Sequence, residues 1–274
     1  MDLNSLRIAF IGGGNMASAI IGGLVRQGLP AAQVDVVEPW AEARERLARE
    51  FGVRAAEHAG TQLAGVQVVV WAVKPQTFHE AATAVAPHAA GALHLSVAAG
   101  IRSDSIARWL GTDRIVRTMP NTPALVGRGM TALVARPGVS AQDRAVVEGV
   151  LAPTGATLWV DAEEDLDAVT ALSGSGPAYV FYFIEAMTEA GVRMGLPRDK
   201  AQRLAIGTFC GASELARASD DAPSVLREKV TSKGGTTYAA LTSMQASQVA
   251  ERFIEAMQAA RTRAKELGDE FGRG

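Results

Sequence analysis

Two stretches of this 274-residue chain hold residue types spaced for chemistry. Near the C-terminus, Val230-Thr231-Ser232-Lys233-Gly234-Gly235-Thr236-Thr237 sets two glycines between hydroxyl residues, just ahead of a helical pattern. Gly234 and Gly235 permit positive φ and leave backbone N–H groups uncovered. A helix starting at Thr236 or Thr237 adds dipole-oriented donors. Such a bend suits a small carboxylate, since charge-assisted hydrogen bonds contribute roughly 1.5–3 kcal/mol each. At the other end, Ile8–Ile11 runs into Gly12-Gly13-Gly14-Asn15-Met16-Ala17. Gly12-x-Gly14-x-x-Ala17 fits the dinucleotide pattern: a tight turn, close backbone approach to a pyrophosphate, and a small residue where helix meets strand. The phosphates would meet free N–H groups at the helix start. Glu38 ends the next apolar run, where a carboxylate hydrogen-bonds an adenosine ribose and repels a 2′-phosphate. That favours NADH. Arg44 and Arg46 read as an exposed helix face that could still reach a phosphate. A cofactor loop and an anion loop together imply an enzyme that brings a nicotinamide to a small acid.

The elements that must position these loops alternate through the first half. Apolar, β-branched runs at Arg7–Ile11, Val34–Val37, Gln67–Val73, Leu93–Val97, Arg114–Thr118, Met130–Val134 and Thr157–Val160 read as strands. Between them Met16–Gln27, Ala41–Phe51, Thr77–Val85, Ser103–Leu110 and Ala141–Leu151 read as helices, the last with Ser140 as N-cap and Asp143 three residues on. This alternation predicts an α/β, Rossmann-type, doubly wound, mostly parallel sheet, with ligands outside the strands' C-terminal ends. After Val160 an acidic patch (Asp161, Glu163, Glu164, Asp165, Asp167) marks a boundary, read as a solvated helix start. Beyond it Asp167–Leu172, Ala178–Met194, Arg198–Ala218, Pro223–Val230, Thr237–Ser243 and Ser247–Leu267 are all helical in pattern. The expected organisation is a dinucleotide-binding domain over residues 1–160 and an all-α substrate-binding and dimerisation domain over residues 161–274. Ala178–Ile184 is apolar on every face. A helix of that kind must be buried all round, which predicts a subunit interface with this helix at its centre.

Composition narrows the function classes. A net charge of −2 with no basic block argues against nucleic acid as a partner. The longest uncharged stretch, Ala81–Ile101, is broken by Pro87, His88, Gly91 and His94, so no membrane span is expected. Only Ile8–Ile11 are apolar ahead of the glycines, and acidic Asp2 stands where a signal peptide has its basic flank. One cysteine, Cys210, reads as a small buried hydrophobe and suits a reducing, cytoplasmic setting. The four histidines (His58, His79, His88, His94) lack metal-ligand spacing, so no metal is expected.

Taken in order, the motifs resemble pyrroline-5-carboxylate reductase, from Arg7 to about Leu267. Five blocks carry the resemblance: Phe10-Ile-Gly-Gly-Gly-Asn-Met-Ala17, Ala72-Val-Lys-Pro-Gln76, Ser96-Val-Ala-Ala-Gly100, Arg117-Thr-Met-Pro-Asn-Thr-Pro-Ala124 and Asp167-Ala-Val-Thr-Ala-Leu-Ser-Gly-Ser-Gly-Pro-Ala-Tyr179, followed by the loop Thr231–Thr237. The resemblance implies reduction of L-1-pyrroline-5-carboxylate to L-proline with NADPH or NADH, the last step of proline biosynthesis. It places the cofactor along Ile11, Gly12, Gly13, Gly14, Asn15 and Met16, along Ala72, Val73, Lys74 and Pro75, and along Val97, Ala98 and Ala99. Asn121 lies at the nicotinamide end. It places the substrate carboxylate on Gly234, Gly235, Thr236 and Thr237, helped by Ser232, with the Thr237 hydroxyl on the ring nitrogen and Glu163 on the substrate side. It implies a homodimer through the helical domain, extending to assemblies such as a decamer. This chain departs from the family in carrying Lys233 where many members have Pro. Glu38 stands where NADPH-preferring members often carry Ser, and Ala59 where some carry Asn.

If the cyclic imine binds already protonated, reduction needs positioning and a dry pocket rather than a strong general acid. That accords with a second half that contains no histidine. Ser173 and Ser175 have no readable His-Asp partners and read as turn and N-cap residues. Two rival readings share the two-domain plan. One is a β-hydroxyacid or prephenate-type dehydrogenase, for which Lys200, Lys229, Lys233 and Lys265 are the candidate acid–base groups. The other is a non-catalytic NAD(P)-sensing dimer.

Overall fold

A computed structural model describes residues 6–272; Asp2 lies outside them. The N-terminal apolar runs form strands β1 (Ile8–Ile11), β2 (Val34–Val37), β3 (Arg54–Ala56), β4 (Val68–Trp71), β5 (Leu93–Ser96), β6 (Ile115–Met119), β7 (Gly129–Ala135) and β8 (Gly155–Trp159). They make one eight-stranded sheet in the order β3-β2-β1-β4-β5-β6-β7-β8. Neighbours run parallel except β6 and β7. Helices α1 (Asn15–Arg26), α2 (Ala41–Phe51), α3 (Pro75–Val85), α4 (Ser103–Leu110) and α5 (Ala141–Leu151) connect them. The strand order turns back between β1 and β4, the crevice where such sheets bind ligands.

Two apolar layers hold the sheet. Ile8, Phe10, Val34, Val36, Val68 and Val70 pack against Ile20, Ile21, Leu24 and Leu47 on one face. Ala9, Ile11, Val69 and Trp71 pack against Phe78, Ala82 and Ile106 on the other. Both alternating sets are buried, which is why these strands read as continuous apolar runs. Ser140 and Asp143 close the expected capping box at α5, and Arg114 bonds Asp143 at 2.6 Å, holding its carboxyl below the usual range.

The sheet core contains one titratable surprise. His94 is 2% exposed, and its Nδ1 accepts from the Trp71 indole at 3.2 Å. Burial, with Arg114 nearby, lowers its pKa from 6.5 to about 4. The folded state therefore prefers the neutral ring. The stability this gives is complete above the unfolded pKa of 6.5 and is lost as pH falls towards 4. We expect His94 to account for about 2 kcal/mol of lost stability between pH 7 and pH 5. Denaturant unfolding of wild type and His94→Gln at the two pH values measures it; equal losses in both proteins would show that His94 does not titrate in this way.

The chain packs as two compact units, Met1–Gly174 with Ala260–Gly274, and Ser175–Ala259. Packing thus divides it further along than the acidic patch near residue 160. Leu166, in helix α6 (Asp165–Val169), is buried against Ala132 and Val134 of β7. Asp167 is also buried, with Arg102 at 3.9 Å. The acidic patch is therefore partly a packed element and not a solvated start. Residues 170–174 follow as a π-turn, where the sequence predicts a continuing α-helix to Leu172. Gly174 there lies against the Met119 side chain. The last helix, α11 (Val249–Phe271), ends in the first unit: Phe271 sits beside Gly100, and Asp269 bonds Arg102 at 3.0 Å.

The second unit is helical throughout its described length: α7 (Gly176–Arg193), α8 (Arg198–Arg217), α9 (Pro223–Lys229), α10 (Thr236–Ala246) and the first part of α11. The last helix starts at Val249 and not at Ser247, because Gln248 takes a left-handed φ of 53°. In α7, Tyr179 and Phe183 each meet Phe253 edge-on at 5.6 Å, while Phe181 and Tyr182 remain 58% and 69% exposed within one chain. The apolar helix thus has one covered face and one open face. Cys210, expected to be buried, is exposed on α8, because α8 buries only a narrow stripe that includes Ala201 and Ala205. Among the described residues no helix is long and apolar enough to cross a membrane.

Candidate active site

The C-terminal ends of β1, β2, β4 and β5 form one row. Ile11 pairs with Val37 and Trp71, and Trp71 with Ser96. Each expected cofactor segment leaves this row. Gly12–Met16 follows β1, Glu38 follows β2, Ala72–Pro75 follows β4, and Val97–Ala99 follows β5. Backbone bonds continue the row past the strands: Gly12 N–H to Val37 O at 2.8 Å, Ala72 N–H to Ile11 O at 2.8 Å, and Val97 N–H to Trp71 O at 3.0 Å. Pro75 occupies the first turn of α3, and Lys74 precedes it exposed.

The glycine loop has the shape a pyrophosphate requires. Gly12 sits at φ 94°, and a Cβ there would lie 2.6 Å from the Ala72 carbonyl oxygen. Gly14, at the N-cap of α1, faces open space, with nothing within 4 Å of an added Cβ. No side chain caps the helix, so its first N–H groups, including those of Asn15 and Met16, are available to an anion. Ala17 is fully buried against the sheet. The residues present therefore fit a dinucleotide.

Glu38 is buried, and its carboxylate bridges two chain segments. One oxygen accepts from Gly13 N–H at 2.7 Å and the other from Trp40 N–H at 3.0 Å. Two acceptors with one donor each leave lone pairs for a ribose hydroxyl. Arg44 and Arg46 are not a free helix face. Arg44 donates to the Glu38 and Pro39 carbonyls at 2.8 and 2.6 Å, and Arg46 to the Gly13 carbonyl at 2.8 Å.

Asn121 follows β6 and works as a bracket. Its amide nitrogen donates to the Ser173 carbonyl and hydroxyl, each at 3.2 Å, and its oxygen accepts from Met130 N–H at 2.9 Å. The π-turn is thereby tied to β7 and to the end of β6. Ser175 precedes α7 without a side-chain capping bond. Glu163 is engaged on both oxygens, accepting from Ser103 N–H at 2.6 Å, Arg117 at 2.8 Å and the Ser103 hydroxyl. Its partners lie far away in sequence, which is why spacing alone did not reveal this role.

In the second unit the expected anion bend is a β-turn. Gly235 N–H donates to Ser232 O at 3.0 Å, and Gly234, the third residue, has φ 73°. Positive φ at that position is the type II pattern, whose second position favours proline. Lys233 occupies that second position, exposed. A lysine there keeps the backbone that a proline would also suit. The Ser232 hydroxyl lies over the bend, 2.5 Å from where a Gly235 Cβ would stand. Gly235 then heads α10 in extended conformation without a side-chain cap, leaving the Thr236 and Thr237 N–H groups to an external acceptor. Thr188, Thr208, Thr231 and Thr242 donate their hydroxyls to the carbonyl four residues back. Thr236 and Thr237 stand in the first turn, with no such carbonyl behind them, and their hydroxyls bond no described protein atom. The structure brings Ser232 and Gly234–Thr237 together as one group of donors; Glu163 belongs to the other unit.

Comparison with known proteins matches both halves. The family model for pyrroline-5-carboxylate reductase dimerisation covers residues 163–267. The model described as NADP oxidoreductase coenzyme F420-dependent covers residues 7–100. A pyrroline-5-carboxylate reductase of Pseudomonas aeruginosa is 44% identical over 272 residues, spanning 98% of this chain and all of that one. The solved structure of a pyrroline-5-carboxylate reductase from Coxiella burnetii superposes with a TM-score of 0.91 at 35% identity, covering 96% of this chain and 98% of that one. The pyrroline carboxylate reductase of Plasmodium falciparum, solved with NADP bound, gives a TM-score of 0.86 at 27% identity over 97% of this chain and 99% of that one. With glycine cradle, hydroxyl-rich bend and near-complete alignment in agreement, the chain belongs to the pyrroline-5-carboxylate reductase family.

Proposed function

We propose that this chain reduces L-1-pyrroline-5-carboxylate to L-proline by hydride transfer from NADPH or NADH, the last step of proline biosynthesis. The observation that carries the site assignment is the first turn of α10, where uncapped N–H groups and an uncommitted Thr237 hydroxyl stand beside a glycine bend. The substrate is a cyclic imine bearing a carboxylate. Ser232, Gly234, Gly235, Thr236 and Thr237 take the carboxylate, and the positive end of the α10 dipole favours it. Thr237 Oγ1 reaches the ring nitrogen and orients the C=N bond. When bound, the nicotinamide supplies a hydride to the imine carbon. The nitrogen keeps the proton it entered with, so the chain's task is to hold, orient and exclude water. Ile11–Met16, Ala72–Pro75, Val97–Ala99 and Asn121 line the cofactor side. Glu163 stays on the substrate side of this reading, with its carboxylate held by Ser103 and Arg117.

The family's dimerisation region and the open face of α7 support a homodimer through the helical region, and a decamer is the larger assembly we propose. A single cysteine suits the cytoplasm. The β-hydroxyacid reading would need an acid–base lysine among Lys200, Lys229, Lys233 and Lys265; of these Lys229 is paired with Asp221, and Lys233 fills the second position of the bend. Two assays separate the readings: loss of NADH absorbance with pyrroline-5-carboxylate, and gain of NADH absorbance with NAD+ and 3-hydroxyisobutyrate, each against no substrate. NADH oxidation by the imine with no NAD+ reduction by the hydroxyacid supports the proposal; NAD+ reduction by the hydroxyacid, or binding without turnover, defeats it.

Cofactor choice rests on Glu38. Two backbone bonds fix its carboxylate, so a 2′-phosphate entering there meets a negative charge that cannot swing aside, and like charges cost several kcal/mol. Glu38→Ser should raise the NADPH/NADH ratio of kcat/KM by ~10-fold or more. An unchanged ratio would show that Glu38 does not read the ribose.

A further inference from the structure

Glu38 leads to Trp40, whose side chain the cofactor motif does not explain. The chain has four tryptophans. Trp71 is fully buried, Trp109 and Trp159 are partly covered, and Trp40 is 76% exposed. It is also the only exposed large hydrophobic side chain among the described residues before Leu125. A single exposed apolar residue needs no explanation by itself. The backbone beneath this one does. Pro39 limits φ just ahead of it. The Glu38 carboxylate takes the Trp40 N–H at 3.0 Å and the Gly13 N–H at 2.7 Å. Arg44 pins the Glu38 and Pro39 carbonyls, Arg46 pins the Gly13 carbonyl, and an added Cβ on Gly13 would meet the Leu47 side chain of α2 at 2.5 Å. One carboxylate and two guanidinium groups therefore tie the backbone that carries this indole to the glycine loop.

We propose that Trp40 is the platform on which the adenine ring of the dinucleotide stacks. The inference rests on reading Gly12–Met16 as the pyrophosphate cradle. A dinucleotide laid on that cradle sends its adenosine past the C-terminal end of β2, where Glu38 meets the ribose and Trp40 follows two residues on. Indole offers the largest face of any side chain to a purine, and a backbone fixed before binding leaves only the side chain's own freedom to be lost when the base arrives. Adenine is common to NADH and NADPH, so Trp40 strengthens both equally, whereas Glu38 separates them.

Equilibrium binding with a fluorescence readout tests this. ADP-ribose, which carries the adenine and lacks the nicotinamide, should quench tryptophan emission in the wild type, and Trp40→Phe should abolish that quenching while the other three tryptophans remain. Trp40→Ala should raise the Kd of NADH and of NADPH by the same factor, roughly 5- to 100-fold, and leave the Kd of reduced nicotinamide mononucleotide unchanged. Trp40→Phe should recover most of the dinucleotide affinity. Quenching that persists in Trp40→Phe, or wild-type Kd values in Trp40→Ala, would overturn the proposal. So would an equal loss for the mononucleotide, which would mean general damage. Wild-type protein that binds neither ADP-ribose nor NADH would remove the cradle reading as well. A changed NADPH/NADH ratio in Trp40→Ala would contradict the division of labour with Glu38. Should Trp40→Ala not fold, the Trp40→Phe quenching result decides alone.

Discussion

Thr237→Ala lowers kcat roughly 10- to 1000-fold, the range for losing one positioned donor, and changes the KM for the imine far less. The split follows from which groups do which work. In the proposed site the carboxylate is held mainly by backbone N–H groups at the bend and the first turn of α10, and these survive the substitution. In the same proposal the hydroxyl acts at the nitrogen, where charge changes during hydride transfer, so its loss falls on the transition state. Thr237→Ser, which keeps the hydroxyl, should restore most of the rate. Steady-state kinetics on the three proteins with pyrroline-5-carboxylate and NADH measures this. Wild-type turnover in Thr237→Ala would remove the residue from the mechanism.

Gly12→Ala should weaken NADH binding at least ~10-fold and destabilise the fold by about 1–3 kcal/mol, the range for one residue held in sparsely populated backbone. Two faults combine there. Gly12 has φ 94°, which an L side chain avoids, and the added methyl would stand 2.6 Å from the Ala72 carbonyl oxygen. Relief requires β1 and β4 to part just where the cofactor segments leave them. Gly14→Ala is the contrast: its Cβ would meet no protein atom within 4 Å, so any loss of affinity comes from the ligand's side and stability stays near wild type. Isothermal titration with NADH and denaturant unfolding separate the two variants. A Gly12→Ala protein with wild-type affinity would mean that the loop does not approach a pyrophosphate closely.

Local patterns made much of this legible. Strands buried on both faces announce themselves as β-branched runs, and the capping box of α5 needs only Ser140 and Asp143 in register. The apolar girth of Ala178–Ile184 pointed to a partner, and α7 does leave Phe181 and Tyr182 open. Strand β3 was missed because three residues, one of them the exposed Arg54, make too short a pattern at a sheet edge. The π-turn at 170–174 escaped notice because its backbone depends on Asn121 from another element. Arg44 and Arg46 look like any charged helix face until the fold turns them onto the Glu38, Pro39 and Gly13 carbonyls. Glu163 looks solvated until β6 and α4 supply Arg117 and Ser103. What eluded the sequence is long-range polar pairing, which has no periodicity to betray it.

The most direct measurement is a crystal structure of the protein with oxidised dinucleotide and L-proline. The account predicts proline's carboxylate on the N–H groups of the 234–237 bend, its ring nitrogen within hydrogen-bonding reach of Thr237 Oγ1, and its ring carbon facing a nicotinamide whose pyrophosphate lies on Gly12–Met16. Proline bound elsewhere, with the bend carrying no acid group or standing away from the nicotinamide, would contradict it.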